Sequence, residues 1–141
     1  MIEFTVNGPA VPKQRPRMGG RRAYTPKKTK DYEQKVRQAF SDAYQGDIPV
    51  YAENTPVRAV IRIIQGVPKS WSKKKREAAL ANQLAPTTRN GDLDNIAKSI
   101  LDALNECVYA DDCQVTTLTI SKRYGEQPKA IIKFYEDDYE Y

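Results

Sequence analysis

Histidine is absent from these 141 residues, and the absence narrows the chemistry before any motif is considered. Without it there can be no Ser-His-Asp or Cys-His arrangement, so hydrolysis would have to draw on carboxylates, lysine, tyrosine or a metal. Cysteine is scarce as well. Cys107 and Cys113 lack CxxC spacing, which supports neither a zinc site nor a disulfide framework, and two buried free thiols are expected. No apolar run approaches the roughly 20 residues of a membrane helix, and the opening MIEFTVNGPA lacks the basic-then-apolar pattern of a signal peptide. A soluble, cytoplasmic protein is expected.

What is present in quantity is charge, unevenly placed. Behind a net +5, residues 1–90 hold 18 Lys/Arg against 7 Asp/Glu, whereas residues 91–141 hold 5 against 11. A basic half suits a polyanion and an acidic half suits a place where cations gather, although solvated surface charge gives the same counts.

The length fits one domain spanning residues 1–141. IEFTV at residues 2–6 alternates as a strand does, and Gly8, Pro9 and Pro12 end it. Residues 13–30 carry eight Lys/Arg and no acid, broken by Pro16, Gly19, Gly20 and Pro26, which predicts a flexible basic loop without helix or strand. The spacing of Tyr32, Val36, Ala39, Phe40 and Ala43 predicts an amphipathic helix over 29–45. VRAVIRIIQ at 57–65 reads as a half-buried strand, and Ser70 or Ser72 is placed to cap a short helix that follows. After a further helix come two strand-like runs, CQVTTLTISKRY and KAIIKFYE, joined by GEQP as a hairpin, and then a frayed acidic tail at 136–141. The order β, α, β, α, α, β, β implies an α+β fold, a mixed β-sheet with helices packed on one face in two layers.

The stretch from Asp92 to Asp112 is the informative one. Asp94 precedes a helical pattern whose Ile96, Ile100, Leu101, Leu104 and Val108 share one face, so it takes the N-cap position, and a cap contributing about 1 kcal/mol is reason enough for an aspartate there. Lys98 and Asp102 follow at steps of four, a polar row with neighbours roughly 6 Å apart, which an ordinary helix ion pair also explains. Asp111 and Asp112 then stand just before a strand whose alternation turns only one of them inward. If Asp92, Asp94 and one of this pair converge, their repulsion calls for a divalent cation or a proton, and carboxylate oxygens suit Mg²⁺ or Mn²⁺. A calcium loop starting at Asp92 is rejected, because Ile96, Ala97 and Ala103 stand where an oxygen ligand, a glycine and a glutamate belong. An aspartyl-phosphatase motif is poorly matched, since PTTRNG rather than a hydrophobic strand precedes the acids.

The combination D-x-D-N, a lysine four residues after the second aspartate, LDAL at 101–104 and D-D-x-Q-V about twenty residues on resembles the RusA family of Holliday-junction resolvases. GPAVPKQRPR at 8–17 is similar to the amino-terminal segment of many phage-type members. The resemblance implies a metal-dependent endonuclease that nicks four-way DNA junctions in symmetric pairs and works as a homodimer. It makes Asp92, Asp94 and Asp112 the catalytic, metal-binding aspartates and Lys98 the catalytic lysine, with Asp111 a further candidate ligand and Asp102 a recurring acid. Lys13, Arg15, Arg17, Arg21 and Arg22 of the basic loop are the expected phosphate contacts. Arg89 is a further candidate, although the sequence departs from the family here: its best-studied pattern has an arginine directly before the first aspartate, where Gly91 stands, and Arg89 comes three residues before that aspartate. Two other readings stay open: a non-catalytic DNA-binding module, and a nuclease acting broadly on branched or flap DNA.

Overall fold

A computed structural model of the chain describes residues 1–14, 17–20, 22–24, 26–87 and 91–138. Four strands, β1 (Ile2–Asn7), β4 (Val57–Gly66), β5 (Val115–Gly125) and β6 (Lys129–Glu136), form a sheet in the order β1-β6-β4-β5. β6 runs antiparallel to both β1 and β4, and β4 runs parallel to β5, so the sheet is mixed as expected. Alternation decides the buried face: Ile2, Phe4 and Val6, then Val57, Ala59, Ile61 and Ile63, then Ala130, Ile132 and Phe134 all turn to one side. Helices α1 (Lys27–Ala43) and α3 (Leu93–Ala103) cover that side with Tyr32, Val36, Phe40, Ile96 and Ile100. Each such large side chain contributes roughly 1.5–3 kcal/mol on burial. Helix α2 (Lys73–Leu80) packs on β5 through a smaller cluster of Ala79, Val67 and Tyr124. Its cap is Ser72, whose Oγ accepts from the Lys75 N–H at 3.2 Å. Among the described residues no helix is long and apolar enough to cross a membrane.

Four expectations need correction. β5 and β6 do not form a hairpin: β4 lies between them, because a strand apolar along its buried face gains most from a neighbour on each side. The connection crosses the end of β4 at Gly66, where an added Cβ would lie 3.3 Å from the Pro128 ring. Within 13–30, Arg17–Gly19 (β2) and Arg22–Tyr24 (β3) pair as a short antiparallel ribbon, and α1 begins at Lys27, just after Pro26 with its preset φ. Of the acidic tail at 136–141, residues 139–141 lie outside the described residues, while Asp137 is anchored, being 2% exposed. Its carboxylate accepts from Thr116 at 2.8 Å, Thr117 at 2.6 Å and Arg58 at 3.1 Å. Both cysteines are free, but Cys107 is only half-buried and Cys113 is exposed, since the latter sits in a solvent-facing 3-10 turn at Asp112–Gln114.

Candidate active site

Helix α3 starts two residues earlier than the sequence pattern suggests, so Asp92 rather than Asp94 is the N-cap residue, in extended backbone with φ −74° and ψ 143°. Asp94 falls in the first turn, where a negative charge meets the positive end of the helix dipole. Both are exposed, and among the described residues neither makes an ion pair. Lys98, one turn on, is also exposed and unpaired among those residues, so the ordinary helix ion pair that could have explained the Asp94–Lys98–Asp102 row does not form among them.

Asp102 instead turns to two other partners. Its Oδ2 lies 3.4 Å from the Lys13 ammonium, which in turn sits 2.7 Å from Glu33 Oε1 of α1. Burial alone would lower the Lys13 pKa, but the hydrogen bonds and charges of Glu33 and Asp102 outweigh it and raise the group above its usual value. On its other side Asp102 meets Asp112. Burial pushes the Asp112 carboxyl up to about 6, assisted by hydrogen bonding with Asp111 and Asp102 and by their charges. Asp111, exposed, is held below the usual carboxylate range by hydrogen bonds from Asp112 and Cys113. Of the pair before β5, Asp112 is therefore the one turned inward.

The backbone around that pair is held from three sides. The Asp112 N–H donates to Asn105 Oδ1 at 2.8 Å. Gln114 Oε1 accepts from the N–H groups of Ala110 and Asp111, while its Nε2 donates to the carbonyls of Ala52 and Thr55. Beneath the acids lies Tyr109, fully buried, whose hydroxyl donates to Leu101 O at 2.7 Å. Its pKa is raised by burial and further by Asp112, Asp102 and Asp111.

The three expected metal ligands are not brought together: among the described residues no three acidic or thiol side chains form a group able to hold a metal ion. Asp94 and Asp102 are eight residues apart on one helix, about 12 Å along its axis, and it is the far one that reaches Asp112. The donor chemistry nevertheless fits a hard divalent cation, since every candidate ligand is a carboxylate oxygen and Asp112 is crowded enough by its neighbours for a cation to be welcome.

The basic segment begins against this same helix. The Lys13 N–H donates to Asn95 O at 2.8 Å, and Ser99 Oγ, fully buried, lies 2.7 Å from Val11 O. The Gln14 N–H donates to Thr29 Oγ1 of α1 at 3.2 Å. Among the expected phosphate contacts, Arg15, Arg21 and Arg89 lie outside the described residues. Arg17 and Arg22 fall on β2 and β3, with their side chains outside that description. Sequence reasoning missed Asn105, Gln114 and Glu33. The Q of the D-D-x-Q-V pattern was the one visible signal, since a glutamine two residues past an Asp-Asp turn can reach back to its amides.

Comparison with known proteins matches residues 7–135 to the family described as Endodeoxyribonuclease RusA. An uncharacterized protein of Bacillus subtilis strain 168, YqaN, is 37% identical over 141 residues, with 96% of each chain covered.

Proposed function

The chain belongs to the RusA endodeoxyribonuclease family, and from that premise we propose that it resolves four-way DNA junctions by hydrolysing one phosphodiester in each of two opposed strands. One observation carries the reading: the root of the basic segment is hydrogen-bonded along α3, the helix that bears Asp92, Asp94 and Lys98. The root of the basic segment and the acids suited to a divalent ion thus adjoin one helix.

Asp92, Asp94 and Asp112, with Asp111 beside Asp112, would hold Mg²⁺ or Mn²⁺, a set that has to be drawn together around the ion because it does not stand as one group among the described residues. Such an ion supplies Lewis acidity toward water and phosphate, which a chain without histidine needs from some source. Lys98, free of ion pairs among the described residues, offsets negative charge building on the phosphate. Arg15, Arg17, Arg21 and Arg22, with Arg89, contact backbone phosphates and so position the strand without reading its sequence. Asn105 and Gln114 keep the Asp111–Asp112 turn in place through its backbone. A homodimer is the working unit in this reading, because a two-fold axis presents two equivalent sites to a junction that itself has two equivalent strands.

Rates on four-way, three-way, flap and linear duplex DNA under the same divalent cation test the proposal. The junction should be cut fastest by an order of magnitude or more, roughly 1.4 kcal/mol in the barrier. Equal rates on all four would replace it with a broad branched-DNA nuclease, and binding without nicks would leave a DNA-binding module.

A further inference from the structure

We propose that Lys13 is a positioning residue that clamps the basic arm to the acid-bearing helix, and not one of the arm's phosphate ligands. The proposal rests on the endonuclease reading above for its catalytic consequence, while the clamp itself rests on geometry. Lys13 is the first cation of the segment, yet its side chain is only 18% exposed and its ammonium is already engaged by Glu33 at 2.7 Å and Asp102 at 3.4 Å, themselves 13% and 25% exposed. Freeing it for DNA would leave two half-buried carboxylates without their cation. The backbone on each side is fixed as well, with Val11 O on Ser99, the Lys13 N–H on Asn95 O and the Gln14 N–H on Thr29. Four consecutive residues therefore form a strap across α1 and α3, and the arginines of the arm start where the strap ends. A strap of this kind sets the register between a phosphate held by the arm and the carboxylates on α3, and a displacement of about 1 Å in such a register can cost on the order of a hundredfold in rate.

The test compares the full-length chain with Lys13→Met, Lys13→Arg and Glu33→Gln. Binding to a four-way junction without divalent metal is measured against salt, followed by cleavage kinetics with Mg²⁺ and amide hydrogen exchange. Lys13→Met should lower kcat about tenfold or more with KM within about twofold. Its log-log salt slope should stay that of the unsubstituted chain, because no phosphate contact has gone. The amides of residues 13 and 14 should exchange faster while those of β4 keep their protection. Lys13→Arg, which can still bridge both carboxylates, should restore kcat. A slope shallower by about 1 in Lys13→Met would make this lysine a phosphate ligand and overturn the proposal. Unchanged kcat with only a lower melting temperature would overturn it too, by reducing the clamp to a structural pair. Should Lys13→Met fail to fold, Glu33→Gln carries the same readouts, and unchanged kcat and strap exchange in it would count against the clamp. Absence of nicking by the unsubstituted chain would remove the endonuclease reading, and the salt slope and exchange rates would still decide the clamp.

Discussion

Gly91 faces the ring of Pro12 so closely that a Cβ placed on it would come within 3.0 Å of Pro12 Cγ, and its φ of +100° is one that side-chain-bearing residues seldom adopt. The residue that leads into Asp92 thus touches the residue that leads into Lys13, and the acidic and basic segments meet at a glycine. Gly91→Ala should cost about 1–3 kcal/mol through strain and crowding. That loss should appear as a melting temperature lower by several degrees, with junction cleavage reduced more than junction binding. A melting temperature and cleavage rate equal to those of the unsubstituted chain would show that the close approach carries no strain.

In the proposed mechanism Asp112 sets stability against function. Its carboxylate shares space with Asp102 and Asp111, so removing its charge should relieve repulsion in the metal-free chain. Asp112→Asn should melt a few degrees higher in EDTA, while nicking in Mg²⁺ falls by roughly a hundredfold or more. Thermal melts and cleavage of one labelled junction check both halves. A variant that loses stability and keeps its rate would contradict the assignment.

Acid stability should depend on Asp137. Its hydrogen bonds from Thr117 and Thr116, then its contact with Arg58, hold its carboxyl at about 2, below the ordinary 3.8. A depressed folded-state value means that the stabilisation is present above pH 3.8 and fades as the pH falls toward 2. Melts between pH 6 and pH 2 should show Asp137→Asn less stable at the upper end and converging with the unsubstituted chain at the lower end. Parallel curves across that range would place the acid sensitivity elsewhere.

Salt should weaken DNA binding steeply. If Arg15, Arg17, Arg21, Arg22 and Arg89 each meet a phosphate, the log-log slope of affinity against salt should be about −4.5, and each Arg→Ala change should reduce it by about 1. Binding titrations at several salt concentrations measure it. A slope near zero would mean that the basic segment does not meet the backbone.

Much of the fold could be read from periodicity, because a buried face leaves its period in the letters. Ile2, Phe4 and Val6 marked β1, and the apolar stripe from Ile96 to Leu101 marked α3, although the helix ends at Ala103 and Val108, expected on the same face, reaches the core from a turn beyond it. Sheet order could not be read that way. The GEQP turn between β5 and β6 has the form of a hairpin, and only the need of β4 for two neighbours, a long-range matter, separates them. In the site, the chain positions of Asp92, Asp94, Lys98, Asp111 and Asp112 were visible as a motif. The ion pair of Asp102 with Lys13 was not, since the two stand 89 residues apart and meet only once α1, α3 and the strap have packed. Nor was it visible that Asp102 rather than Asp94 is the α3 acid beside Asp112, since the two stand eight residues apart on the helix, about 12 Å along its axis, and only packing decides which of them meets the turn before β5.

The central claim is that the acids at the start of α3 and before β5 cut branched DNA in a metal-dependent way. Its most direct test is to follow all four labelled strands of a synthetic four-way junction with the unsubstituted chain and with Asp92→Asn, with and without Mg²⁺. The account predicts nicks at symmetric positions in two opposed strands, seen only with the metal, and an Asp92→Asn chain that binds the junction equally well and leaves it whole. Metal-independent nicking, or full cutting by Asp92→Asn, would contradict it.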